Sequence, residues 1–268
     1  MRKRVWGVVI ISGILVVCGG ICLFYFFGHK EKQPEVVADL CYERGGSADS
    51  LIYVTENGEY VPYVVIDTGN YGDDAVLLMR KDVVLREMMY RDEKAYGAGG
   101  AYYVGSVVDD FLEGEFYRCY SPEIQSIVRN SPVKIHTRDY VSKRTPIGES
   151  EGPVWEVIFR HVFVLSAAEC GGGMAVYNDA VDEGKRIPEI EDFSVKYYTW
   201  LRSELGGGDD THGTLCYDGK VVGGHISAQE GHYIRPVITV SRNEAVVRIK
   251  ADVDSARKEI YVFLKDKR

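Results

Sequence analysis

The chain has 268 residues, 46% hydrophobic and 27% charged, enough for an anchor plus one sizeable domain or for two small domains. Arg2, Lys3, Arg4, Lys30 and Lys32 against Glu31 leave residues 1–32 at +4, so residues 33–268 carry −12 of the chain's net −8. An acidic domain without a basic stripe repels phosphate backbones, which excludes nucleic acid as a partner.

The first element in chain order is Val5 to Phe27, an uncharged run of 23 residues rich in Val, Ile, Leu and Phe. As a helix it would measure roughly 34 Å, enough for a hydrocarbon core of about 30 Å. Trp6 and Tyr25 stand near its ends, where amphipathic rings prefer the interface. Arg2, Lys3 and Arg4 favour an N-terminus inside and a C-terminus outside the cytoplasm. The run is too long for the apolar core of a cleaved signal peptide, and Val36-Val37-Ala38 lies too far beyond it to serve as a cleavage site. Cys18 and Cys22 lack the small preceding residue that lipid modification wants. The expectation is therefore a cytoplasmic tail (1–4), a transmembrane helix (5–27), a stalk (28–50), an extracytoplasmic domain (51–242) and a C-terminal strand extension (243–268). The membrane is then the first partner, through that helix.

In the outer domain Ile52-Tyr53-Val54 and Tyr60 to Asp67 have strand composition, and Ala75 to Met79 returns after a polar turn at 67–74. Ser106 predicts a helix N-cap, with Asp109 at the box position. Ser121, followed by Pro122 and Glu123, predicts a second. His161 to Leu165 reads as a buried strand, and Ser166 with Glu169 as the start of a very short helix. Tyr197 to Arg202, the Thr214–Tyr217 and Lys220–Val222 hairpin, and Tyr233 to Val240 follow as strands. Ala245 to Lys250 and Glu259 to Lys265 close the chain as two more. Cys41, Cys119, Cys170 and Cys216 allow two disulfides in three pairings, or buried thiols.

Five motifs fall in a recognisable order: Tyr-Val-Pro-Tyr-Val-Val-Ile (60–66), Ser-Val-Val-Asp-Asp-Phe-Leu (106–112), Val-Phe-Val-Leu-Ser-Ala-Ala-Glu (162–169), Trp-Leu-Arg-Ser (200–203) and Ile-Arg-Pro-Val (234–237). Over roughly residues 55–241 this series resembles the bacterial surface family called domain of unknown function 6273. More remotely, the last two motifs resemble the C-type-lectin-like fold of formylglycine-generating enzymes. The resemblance implies an α+β class: a C-type-lectin-like mixed domain with short helices on a twisted antiparallel sheet, preceded by the N-terminal transmembrane helix. It does not imply calcium-dependent sugar binding or oxidase chemistry, because the lectin calcium signatures and the closely spaced copper cysteines are absent.

Three constellations could carry chemistry. Trp200, Arg202 and Arg235 lie in apolar strands, where an arginine needs a carboxylate or a ring; the arginines either hold the core or grip an anionic or amide ligand. Asp209, Asp210 and His212 follow three glycines and offer oxygen and imidazole groups, or simply a solvated loop. His225 and His232 could meet near Glu230, with no third ligand signalled. No cofactor or metal motif, nucleophile elbow or phosphate loop is present. The reading that follows is a non-catalytic binding or scaffolding module for a glycan or protein ligand. The alternative is a cell-envelope enzyme using the 209–212 loop.

Overall fold

The computed structural model describes residues 33–42, 51–90, 102–138, 153, 155–170, 197–204, 213–217, 220–222 and 230–267. The chain divides into two units, Met1–Pro34 and Glu35–Arg268, and the sheets belong to the second.

Strands β1 (Leu51–Glu56), β2 (Glu59–Ile66) and β3 (Ala75–Arg80) come first. Asn57 and Gly58 join β1 to β2 at φ of 48° and 89°, a two-residue turn whose twist suits a hairpin. β4 (Val84–Met88) follows, then two capped helical turns, α1 (Val107–Phe111) and α2 (Pro122–Gln125). β5 (Ser131–His136), β6 (Trp155–Arg160), β7 (Val162–Phe163) and β8 (Thr199–Glu204) come next. The last six strands are β9 (Gly213–Tyr217), β10 (Lys220–Val222), β11 (His232–Ile234), β12 (Val237–Ser241), β13 (Val246–Val253) and β14 (Ala256–Phe263).

They build three sheets: a seven-stranded one in the order β13-β14-β1-β2-β3-β12-β7, a five-stranded one in the order β10-β9-β8-β11-β4, and the β5-β6 ribbon. β3 and the second half of β2 are buried on both faces, which their unbroken apolar runs dictate. The main core gathers Val64, Ile66, Leu78, Phe163, Ile238 and Phe263, among others.

β3 pairs with β12 in the large sheet, while β4 pairs with β11 in the smaller one. Both partners therefore change sheet together, one through residues 81–83 and the other through Arg235 and Pro236. Arg80 N donates to Pro236 O at 3.0 Å across the bend. The stretch from Tyr233 to Val240, expected as one strand, is thus two strands in two sheets. Proline offers no ladder donor, and the chain turns the corner there.

The α+β, C-type-lectin-like expectation needs correction. Strands dominate the described residues, and the helices are single turns. Ser106 and Ser121 do cap, accepting from Asp109 N and Ile124 N. However, α1 runs at once into a π turn (Leu112–Phe116) and a 3-10 turn (Tyr117–Cys119), and α2 ends after one turn. The capping signals reported where helices begin, and each apolar stripe was too short to carry them further. The π turn has a structural consequence. It aims Glu113 at the start of β7, where the carboxylate accepts from His161 N (2.6 Å) and Val162 N (2.8 Å). The expected membrane helix is also corrected. No helix among the described residues is long and apolar enough to cross a membrane, and residues 5–27 lie outside them.

The flanking segments are built into the fold. Val37 and Leu40 are buried, Val37 N donates to Glu244 O (2.9 Å), and Tyr42 N donates to Val65 O (2.7 Å). β14 runs parallel to β1, so β13 and β14 complete the large sheet.

Candidate functional site

Arg202 stands on β8 and reaches inward. Its Nη1 donates to Val164 O (2.7 Å) and lies 2.8 Å from Glu169 Oε2; its Nε donates to Lys134 O (3.2 Å). Tyr71 Oη accepts from Nη2 (3.3 Å) and itself donates to Glu169 Oε1. The guanidinium lies 5.6 Å from the Phe163 ring centre. Glu169 is held by Ser166, whose N donates at 2.8 Å while its Oγ accepts from Glu169 N at 3.1 Å. The Ser166/Glu169 box is therefore present over a bare turn, and its carboxylate serves the arginine. Through these bonds one side chain ties β8 of the smaller sheet to the end of β7 of the larger one and to β5 of the ribbon.

Burial alone would weaken both charges. The Arg202 charge and its hydrogen bonds outweigh this and hold Glu169 below its ordinary value. Glu169 likewise holds Arg202 above its own against the cost of burial. Burial, with the Glu169 charge, pushes the Tyr71 phenol well up, so it stays protonated. At 6% exposed, Arg202 meets protein on every side.

Trp200, two positions earlier, is 1% exposed, and its indole N–H donates to Met88 O at 2.8 Å. It begins a column of rings. Tyr90 lies 5.3 Å from it and His232 4.8 Å, both edge-on; Tyr198 lies 6.0 Å beyond His232. The Tyr197 and Tyr233 rings meet at 4.7 Å. Tyr233 N donates to Tyr198 O (3.1 Å), which fixes β11 against the start of β8; with Tyr233 opposite Thr199, alternation puts the Tyr197–Tyr233 pair and the Tyr198–His232 pair on opposite sides of the two strands.

Tyr197 and Tyr198 are 42% and 43% exposed, while the Tyr90 and Trp200 end of the column is sealed. Tyr198 is thus an exposed ring with a rigid backing, and an acid accompanies each ring pair. Glu87 accepts the Tyr233 hydroxyl, a bond that chiefly raises that phenol, and Glu230 lies 3.4 Å from His232 Nε2. The Tyr198 ring can stack on a flat or apolar group and hydrogen-bond its edge.

Of the residues singled out from sequence, Trp200 belongs to the ring column and Arg202 sits in the interior hub. Arg235 is half-buried at the sheet crossing, with Nε and Nη2 buried. Asp209, Asp210, His212 and His225 lie outside the described residues. Among the described residues no group of three or more His, Cys, Asp or Glu is placed to hold a metal. Sequence reasoning did not single out Glu169, Tyr71 or Tyr198 as site residues. The 19 tyrosines were the available signal.

The family described as "Domain of unknown function (DUF6273)" matches residues 73–242. The chain belongs to the DUF6273 family. No curated protein and no solved structure matches the chain. The DUF6273 segment contains the Arg202–Glu169 pair and the ring column, from β4 through β11. It begins just before β3 and ends just after β12. Within the large sheet it supplies β3, β12 and β7, while β1, β2, β13 and β14 come from outside the match.

Proposed function

We propose that this DUF6273 chain is a non-catalytic binding module whose ligand docks on Tyr198, the exposed end of the ring column. The observation that carries the reading is the contrast in burial along one column of rings. Trp200 and Tyr90 are sealed and hydrogen-bonded or packed, whereas Tyr198, at the open end, leaves more than two-fifths of its surface to water. Tyrosine offers a large contact area at the entropic cost of two rotatable bonds, which suits recognition more than catalysis. Covering about 100 Å² of ring at ~25 cal/mol per Å² contributes about 2.5 kcal/mol, so the ring alone binds weakly. A repetitive or extended ligand raises that through avidity.

The test is a glycan and peptide array probed with the wild-type chain and with Tyr198→Ala. The proposal expects a ligand retained by the wild type and lost by the variant. No retained ligand at millimolar concentration, or equal retention by the variant, counts against it.

A further inference from the structure

We infer that β6 is a dimerisation edge, and that its occupant is β6 of a second copy of this chain, paired antiparallel about Ile158. β6 is the outer strand of the two-stranded ribbon, and among the described residues no strand lies along its far side. Val157 and Phe159 each leave 57% of their surface to water there. Strand edges are ordinarily blunted by proline, lysine or a bulge. β6 has none of these: it reads Trp-Glu-Val-Ile-Phe-Arg, and its register with β5 runs unbroken from Trp155 to Arg160.

The phase of the ladder decides which groups face out. Pro132 has no N–H, and Lys134 O turns to β8, where it accepts from Arg202 Nε (3.2 Å). The pairs Pro132–Phe159 and Lys134–Val157 are therefore the ones that exchange no ladder bonds, and Val157 and Phe159 point their N–H and C=O to the outer edge. Phe159 O is already used from that side, by Arg160 Nη1, which curls back to donate at 2.9 Å.

Symmetry and charge select the occupant. A two-fold contact needs a surface complementary to itself. Antiparallel pairing about Ile158 sets Val157 opposite the second copy's Phe159, in the phase at which both residues exchange ladder bonds, and sets Glu156 opposite the second copy's Arg160. Residues 33–268 carry −12, so two copies repel at long range; β6, with one charge of each sign placed evenly about its two-fold, is spared that repulsion.

Both charged side chains have capacity for the new bond. Arg160 holds Asp109 with Nε (2.7 Å) and Nη2 (2.8 Å), which leaves Nη1 to move from Phe159 O to the incoming carboxylate. Phe159 O is thereby released to the Val157 N–H of the second copy. Glu156 accepts the Tyr102 hydroxyl on Oε1 (2.8 Å), one of a carboxylate's roughly four acceptor positions. The paired stretch is short beside the usual interface of a stable dimer, so association depends on concentration. Two joined copies also offer two Tyr198 rings to a repetitive ligand.

Sedimentation of the full chain from micromolar to millimolar concentration tests this, in a mild detergent that keeps the apolar run 5–27 from associating on its own. The wild type passes from one chain to two. Val157→Pro removes an outward N–H and no ladder bond to β5, and Val157→Lys puts a charge on the edge; each weakens association about tenfold or more at an unchanged melting temperature. Ile158→Cys reads the register. Opposed Cα atoms in a pair that exchanges no ladder bonds lie about 4.5 Å apart, so with oxidised glutathione the two introduced thiols form a disulfide between copies, which mass spectrometry identifies. A wild type that stays a single chain at millimolar concentration overturns the inference, as does a dimer indifferent to both Val157 substitutions. Introduced thiols that link to native cysteines and not to each other overturn the two-fold about Ile158, and this cross-link decides even where a Val157 variant fails to fold.

Discussion

Arg202 Nη1 lies 2.8 Å from Glu169 Oε2 with both side chains about 5% exposed, and this pair joins elements of three sheets. A buried pair contributes little relative to an apolar substitute, but half of one is costly. Glu169→Gln therefore destabilises the chain by about 3–5 kcal/mol, because it strands a buried guanidinium. Tyr71→Phe, which removes one neutral partner, costs about 1–2 kcal/mol. Urea denaturation of the two variants beside the wild type measures both, and the order of the two losses checks the assignment.

The same pair sets an acid limit. Glu169 is depressed below the ordinary 4.5, so its contribution is complete above that value and is lost as pH falls through the folded-state value. Burial pushes the His136 imidazole down to about 4 from 6.5, so its neutral form belongs to the fold. That contribution is complete above pH 6.5 and is lost progressively as pH falls towards 4. His136 stacks on Trp155 at 4.0 Å, so protonation there quenches indole emission. Urea midpoints measured from pH 7 to 3 fall in the wild type, first through His136 and then through Glu169. His136→Phe flattens the upper part of that profile.

The turn from β13 to β14 offers a stabilising change. Asp254 and Ser255 both occupy positive φ, at 50° and 63°. A left-handed conformation costs a residue with a Cβ roughly 1–2 kcal/mol, while glycine's extra chain entropy returns about half of that. Ser255→Gly raises stability by about 0.5–1 kcal/mol, read as an increase in melting temperature. An unchanged or lower value contradicts the account of this turn.

Folding requires more than the family match. β3 is the central-sheet strand nearest the start of residues 73–242, and it pairs with β2 through Tyr63 to Ile66. Asp266 accepts from Thr55 N (3.0 Å) and Ser121 Oγ (2.8 Å), fastening the C-terminal turn to β1 and to the cap of α2. A fragment of residues 73–242 leaves β3 as an open, largely apolar edge and is expected to aggregate, while residues 35–268 stay monodisperse. Size-exclusion chromatography of the two checks this.

Local signals in the sequence were legible. Ser106, Ser121 and Ser166 each make the short-range bonds their positions predict, and β2 and β3 lie close to where alternation and apolar runs put them. What could not be read was pairing at a distance. Nothing near Arg202 points to Glu169, and nothing in Tyr233 to Val240, apart from Pro236, says that the two halves belong to different sheets. Helix length was also hidden, because caps mark a beginning and the π turn through Gly114 depends on what Glu113 finds on β7. The ring column escaped for the same reason. Tyr198, His232 and Trp200 become neighbours only through the parallel pairing of β8 with β11.

Ring-selective NMR of chain carrying labelled tyrosine tests the central claim most directly, with the best ligand from the arrays titrated in. The Tyr198 signal should shift and saturate, those of buried Tyr71 and Tyr103 should stay still, and the ligand should emerge chemically unchanged. Shifts confined to other tyrosines, or conversion of the ligand to a product, would contradict a non-catalytic module that binds at this ring.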